Sequence, residues 1–166
     1  GAGANFNQDN RSLSSSNWDR YYQTVVKGLV DGLSQAQDVP ARSNLYNMIR
    51  IWKAHAFMVL TDTYGDVPYT EAGQNFLKGI SAPVYDSQEA IYSDILNELE
   101  KASIALDATK PRVTSDVLYA GDITKWRRLG NSLLLRAAMR LSKVNPAKAS
   151  EFVKKAVTKQ QNIVLT

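Results

Sequence analysis

A chain of 166 residues, 44% hydrophobic and 22% charged, is long enough to bury one core and too apolar to remain disordered. Its 20 Lys and Arg against 16 Asp and Glu leave a formal charge of +4. The basic residues are scattered, without the stripe of basic and aromatic side chains that marks a nucleic-acid binder, so nucleic acid is not an expected partner. No cysteine is present, which excludes disulfides, thiolate catalysis and cysteine metal sites, and no apolar run approaches the ~20 residues of a membrane-spanning helix.

Residues 1–15 are small and polar and read as a flexible tail. Residues 16–166 read as a single helical domain. The GAGAN start looks processed or engineered, and the apolar Ile163-Val164-Leu165 end suggests a chain that continues, so a fragment of a larger domain is expected. Trp18, Tyr21, Tyr22, Val25, Val26, Leu29, Val30 and Leu33 recur at helical spacing and predict a first helix over about 17–37. Gly28 and Gly32 weaken it and, four residues apart, suit the close approach of another helix. Asp38-Val39-Pro40 breaks the chain.

The second helix, over about 41–64, is apolar on more than one side, as expected of a helix buried between others. Leu45, Met48, Ile49, Trp52, Ala56, Val59 and Leu60 form one face, and Ile51, Phe57 and Met58 fall outside it. Gly65 suits a helix-ending position with positive φ, and Pro68 cannot continue the helix. The short connection predicts that these two helices are antiparallel neighbours. Residues 65–86 follow as a long irregular segment holding Gly65, Gly73, Gly79, Pro68 and Pro83, of a length that in compact domains usually serves function. Asp86, with Glu89 three residues on, has the shape of a capping box for a third helix, whose inner face is Ile91, Ile95, Leu96, Leu99, Ala102, Ser103 and Leu106. A second loop covers 108–121. Asp122 or Thr124 caps a fourth helix over about 123–143, lined by Trp126, Leu129, Leu133, Leu134, Ala137, Ala138 and Leu141. Pro146 opens a fifth over about 146–159. The expected fold is all-α: antiparallel helical hairpins with long loops. Trp126, Leu129 and Gly130, then Ala149, Phe152 and Ala156, echo tetratricopeptide hairpins without a clean period of about 34 residues.

Catalytic motifs are missing. There is no G-x-S-x-G, no phosphate-binding glycine loop, no H-E-x-x-H and no calcium loop, and Asp19, Asp66, Glu71, Asp86 and Asp116 form no glycosidase-like pair. No enzyme, metal or cofactor is expected. His55, the only histidine, reads as a buried, hydrogen-bonded structural residue. Asp62 sits unfavourably near a helix C-terminus and calls for a salt bridge, with Arg136 and Arg140 as candidates. Tyr69, Phe76 and Tyr85 stand apart from the helical stripes because they lie in the long loop. Exposed rings there would stack on the apolar faces of a neutral ligand such as a sugar; equally, the rings would pin the loop to the helices.

The long aromatic helix running into Tyr64-Gly65-Asp66-Val67-Pro68-Tyr69 resembles the SusD-like (SusD/RagB) family. So do Trp18-Asp19-Arg20-Tyr21-Tyr22, the stretch from Val84-Tyr85-Asp86 to Leu99 (with residues 87–90 inserted), and Tyr119-Ala120-Gly121-Asp122 through Lys125, Trp126, Asn131, Ser132, Leu133, Leu135, Arg136, Ala138 and Arg140. The resemblance covers residues 18–157. It implies a helical, tetratricopeptide-like scaffold in an outer-membrane lipoprotein at the cell surface. Such a protein binds glycan or oligosaccharide without catalysis, beside a TonB-dependent outer-membrane transporter, and is held by an N-terminal lipid that this chain lacks. The family's sugar contacts have no motif, so none is carried over. The competing expectation is a tetratricopeptide-like scaffold for a protein or peptide.

Overall fold

A computed structural model describes residues 11–164. One long helical run opens the fold: α1 (Arg11–Arg20), a π-helical stretch Tyr21–Val26 and α2 (Lys27–Ala36). A 3-10 turn (Pro40–Arg42) leads into α3 (Ser43–Tyr64), and β1 (Val67–Pro68), α4 (Asn75–Lys78) and β2 (Tyr85–Asp86) make up the connecting segment. Then come α5 (Gln88–Ala105), α6 (Ile123–Arg140) and α7 (Pro146–Val164). The fold is all-α, and the one sheet among the described residues is a two-residue antiparallel ladder pairing Val67 with Asp86 and Pro68 with Tyr85. The first helix starts at Arg11, earlier than expected and inside the stretch read as a tail; residues 1–10 of that stretch lie outside the described residues.

The helices pack as antiparallel neighbours. Trp18 meets Tyr64 and Tyr22 meets Phe57, while Gly32 faces Ile49, so α1–α2 runs against α3. Arg50 pairs with Glu98 and Tyr92 with Asp62, which sets α5 against α3. Gly130 faces Ser103, which sets α6 against α5. α3 is the centre: Ile51, Phe57, Met58 and Leu60 are at most 2% exposed and meet Ile91, Ile95, Leu96, Leu99 and Leu134 in one cluster. That burial explains why α3 is apolar around most of its circumference. Of the two glycines in the first helix, only Gly32 is a close approach: a Cβ added there would sit 3.1 Å from Ile49 Cδ1, while a Cβ on Gly28 would meet nothing within 4 Å.

Helix ends follow local chemistry. Gly65 takes φ +77° and its N–H donates to Thr61 O at 2.9 Å. Asp122, one of the two expected caps, accepts from Lys125 N at 3.1 Å. The expected capping role of Asp86 moves to Ser87, whose Oγ accepts from Ala90 N at 3.2 Å. Asp86 is drawn away by the ladder, where its carboxylate accepts from Tyr69 N and Thr70 N at 3.0 and 2.8 Å. α7 extends to Val164, past the expected end at 159.

Candidate functional site: an aromatic platform on the connecting loop

The segment between α3 and α5 is held by its own polar side chains. Asp66 Oδ1 accepts from Gln88 N at 2.8 Å, so a residue just past the end of α3 covers the first free amide of α5. Gln88 Nε2 in turn donates to Thr61 O at 2.7 Å. Asp86 gathers Tyr69 and Thr70, and Glu71 Oε2 accepts from Val84 N at 3.0 Å. The segment predicted as irregular is therefore a stapled loop.

This frame sends its aromatic residues in different directions. Tyr69 points inward and is only 4% exposed. Its ring meets Phe57 edge-on at 4.6 Å, Lys53 Nζ lies 4.8 Å from its centroid, and its hydroxyl donates to Asp94 Oδ2 at 2.6 Å. Burial, with the Asp94 hydrogen bond, pushes that hydroxyl far above the usual tyrosine range. The expectation of an exposed ring is not met at Tyr69; it pins the loop to the core. The side chain of Phe76 lies outside the described residues. Tyr85 points outward: it is 64% exposed, and its ring lies nearly parallel to Trp18, 18° apart with centroids at 6.1 Å. Trp18 is itself braced by Tyr64, edge-on at 5.1 Å, and by Tyr22 at 4.7 Å. Tyr22 anchors this cluster by donating its hydroxyl to Pro68 O at 2.8 Å.

Tyr85 and Trp18 thus make a two-ring platform with the Tyr85 ring exposed and Trp18 braced by Tyr64 and Tyr22. The sequence isolated Tyr85 but assigned Trp18 to packing alone; the register that joins them, Pro68 opposite Tyr85, has no sequence signal in two-residue strands.

Several acidic and basic residues of the helices are committed to one another. Asp62 bonds Arg140 Nη2 at 2.8 Å, one of the two expected arginines, and accepts from Tyr92 OH at 2.5 Å. Arg50 and Glu98 form a bidentate pair with both contacts at 2.8 Å, and the hydrogen bonds from Arg50 hold the Glu98 carboxyl below its usual range. His55 departs from the expected hydrogen-bonded role: it is half-buried and its Nδ1 has no partner among the described protein atoms. Among the described residues no group of three or more His, Asp and Glu is placed to hold a metal ion.

A helical frame of antiparallel hairpins carries a small, exposed aromatic platform on a stapled loop. A family model described as starch-binding and associating with the outer membrane, SusD-like in type, matches residues 2–166, and the chain belongs to the SusD-like family. It is similar to a solved chitin-binding protein, with 36% identity and a TM-score of 0.85 over 92% of this chain. It is also similar to a SusD-like protein of the Bacteroidetes, with 34% identity and a TM-score of 0.83 over 92%. A chitin-binding SusD homologue from Flavobacterium johnsoniae shares 31% identity over 84% of this chain, with a TM-score of 0.71. The chain spans only 32%, 28% and 29% of those three proteins. No curated protein sequence matches it.

Proposed function

We propose that this protein captures a neutral glycan at the cell surface, without catalysis, and presents it for import by a TonB-dependent outer-membrane transporter, to which its helical hairpins dock. Attachment to the outer membrane through a lipid on an N-terminal segment outside this chain belongs to the same proposal. The observation that carries it is the exposed Tyr85 ring laid on Trp18, the flat apolar surface that suits the face of a pyranose. Family membership supports the reading, and the chitin-binding relatives make an N-acetylglucosamine polymer the first glycan to try. Of the three loop aromatics, Tyr85 is the one proposed as a ligand contact.

Affinity electrophoresis of the full-length protein through gels containing soluble glycol chitin or starch tests it, with an unrelated protein as mobility control. One glycan should retard the protein, and Tyr85→Ala should remove much of that retardation while leaving the melting temperature near wild type. No retardation on a broad panel would favour the second reading, a scaffold binding protein or peptide. Two projecting apolar side chains at turns of the frame, Val117 at 96% and Val144 at 79% exposure, speak for that reading.

A further inference from the structure

A second feature of the first hairpin has no role in the platform. Between the opening helix and α3 lies an open groove of about 440 Å3. Tyr21, Val25 and Leu29 form one wall, and Trp52, His55 and Ala56 form the other. Three observations there lack a packing explanation. First, Gly28 lies on the groove in the interior of a helix, where glycine weakens the structure relative to alanine. Its φ is ordinary and a Cβ would meet nothing within 4 Å, unlike Gly32 one turn on, which Ile49 crowds. Second, the wall carrying Tyr21 and Val25 is the π-helical stretch Tyr21–Val26; π-turns are rare and gather at functional sites. Third, the His55 imidazole packs on Trp52, with centroids at 5.5 Å, and its Nδ1 is buried without a partner, an arrangement native proteins rarely leave unexplained.

We propose that this groove is a second sugar subsite, in which a neutral pyranose ring lies against Trp52 and Tyr21 and one of its hydroxyl or amide groups hydrogen-bonds the His55 imidazole, with Gly28 keeping the space open. The proposal rests on the glycan reading above. The lining decides the occupant. It offers aromatic and aliphatic surface with only uncharged polar groups: the Tyr21 hydroxyl, the Trp52 indole N–H and an imidazole that burial and the nearby Arg136 hold towards its neutral form. No charged side chain lines the groove, so a charged ligand would be desolvated there without a direct ion-pair partner. A purely apolar one would leave the imidazole unsatisfied. A ring with one apolar face and a hydroxylated edge meets both demands. Along the helix axis the platform is close enough for one ligand to reach both: Trp18 precedes Gly28 by ten residues on the same helical run, about 15 Å at the α-helical rise, within the span of one short oligosaccharide.

The test is calorimetric titration of the full-length protein with chitotetraose and with maltotetraose, alongside thermal melting. Gly28→Leu should fill the groove without a clash. It is expected to weaken binding of the recognised oligosaccharide by about tenfold while melting at or above the wild-type temperature. Gly28→Ala, too small to fill the space, should also melt no lower than wild type and should bind within about twofold of it. If wild type binds neither oligosaccharide, both this inference and the glycan reading fall. If wild type binds and Tyr85→Ala weakens binding, but Gly28→Leu binds normally, the groove inference alone falls. A lowered melting temperature in Gly28→Leu would mean that another part of the protein fills the groove, and would also overturn it.

Discussion

Asp116, in the loop between α5 and α6, accepts from Trp126 Nε1 at 2.6 Å and from the backbone N–H groups of Leu118, Gly121 and Tyr119 at 2.9, 2.9 and 3.3 Å. Partial burial opposes its charge, but these donors outweigh it and hold the carboxyl below the usual aspartate range. Asp116→Ala is expected to cost about 1–2 kcal/mol in urea denaturation at neutral pH, the lower part of the range for buried donors because water can reach the loop. A depressed folded-state pKa means stability that is present above the unfolded pKa and lost as pH falls through the folded one. The gap between wild type and Asp116→Asn should therefore be full at neutral pH and shrink on acidification below about pH 4. Asn44 is a second such hub: only 1% exposed, it donates to Asp107 O and Pro111 O and accepts from Asp107 N at 2.8, 3.3 and 2.9 Å. Asn44→Ala should destabilise by about 1–3 kcal/mol in the same assay, since it strands backbone groups away from water. Neither residue could be singled out beforehand. Asp116 was one acid among several in loops and Asn44 one polar residue at a helix start, and their partners are mostly backbone groups brought near by tertiary folding.

At the scale of helices the sequence carried more, because the 3.6-residue apolar period is imposed by the same core that the structure shows. The inner faces read for α5 and α6 are buried at Ile91, Ile95, Leu99, Trp126 and Leu134. What periodicity lacks is distance between helices, and Gly130 shows the consequence. An added Cβ there would sit 2.0 Å from Ser103 Oγ and 3.2 Å from Ser103 Cβ and Ile51 Cδ1. Ser103 Oγ is itself buried without a partner. Gly130→Ala is thus expected to destabilise by about 1–2 kcal/mol despite alanine's better helix propensity. Ser103→Ala, which removes an unsatisfied hydroxyl, should be neutral or slightly stabilising. The double variant should lose less than the sum of the two, with a coupling of at least about 0.5 kcal/mol in a denaturant cycle. Strict additivity would show that the α5–α6 contact is looser than drawn.

Across the whole molecule, the helical frame and the platform are joined through Asp86. Tyr69 and Tyr85 looked alike in the sequence, two tyrosines in one loop. The ladder separates them: the chain after Pro68 carries Tyr69 into the core beside Phe57, while Tyr85, opposite Pro68, faces out over Trp18. No sequence rule sets that choice, because it depends on the Asp86 carboxylate catching two amides sixteen and seventeen residues back. The same contact should therefore govern binding through geometry alone. Asp86→Ala is expected to leave the α5 core intact, with the amides of Leu96 and Leu99 still protected from hydrogen exchange, while the amides of Tyr69 and Thr70 exchange faster by about tenfold or more. Glycan retardation should fall as well, although Asp86 itself is not proposed as a sugar contact. Because both changes act through one platform, Asp86→Ala combined with Tyr85→Ala should bind no more weakly than Tyr85→Ala alone. Additive losses would mean that Asp86 touches the ligand directly, and unchanged binding in Asp86→Ala would mean that Tyr85 keeps its place on Trp18 without the ladder.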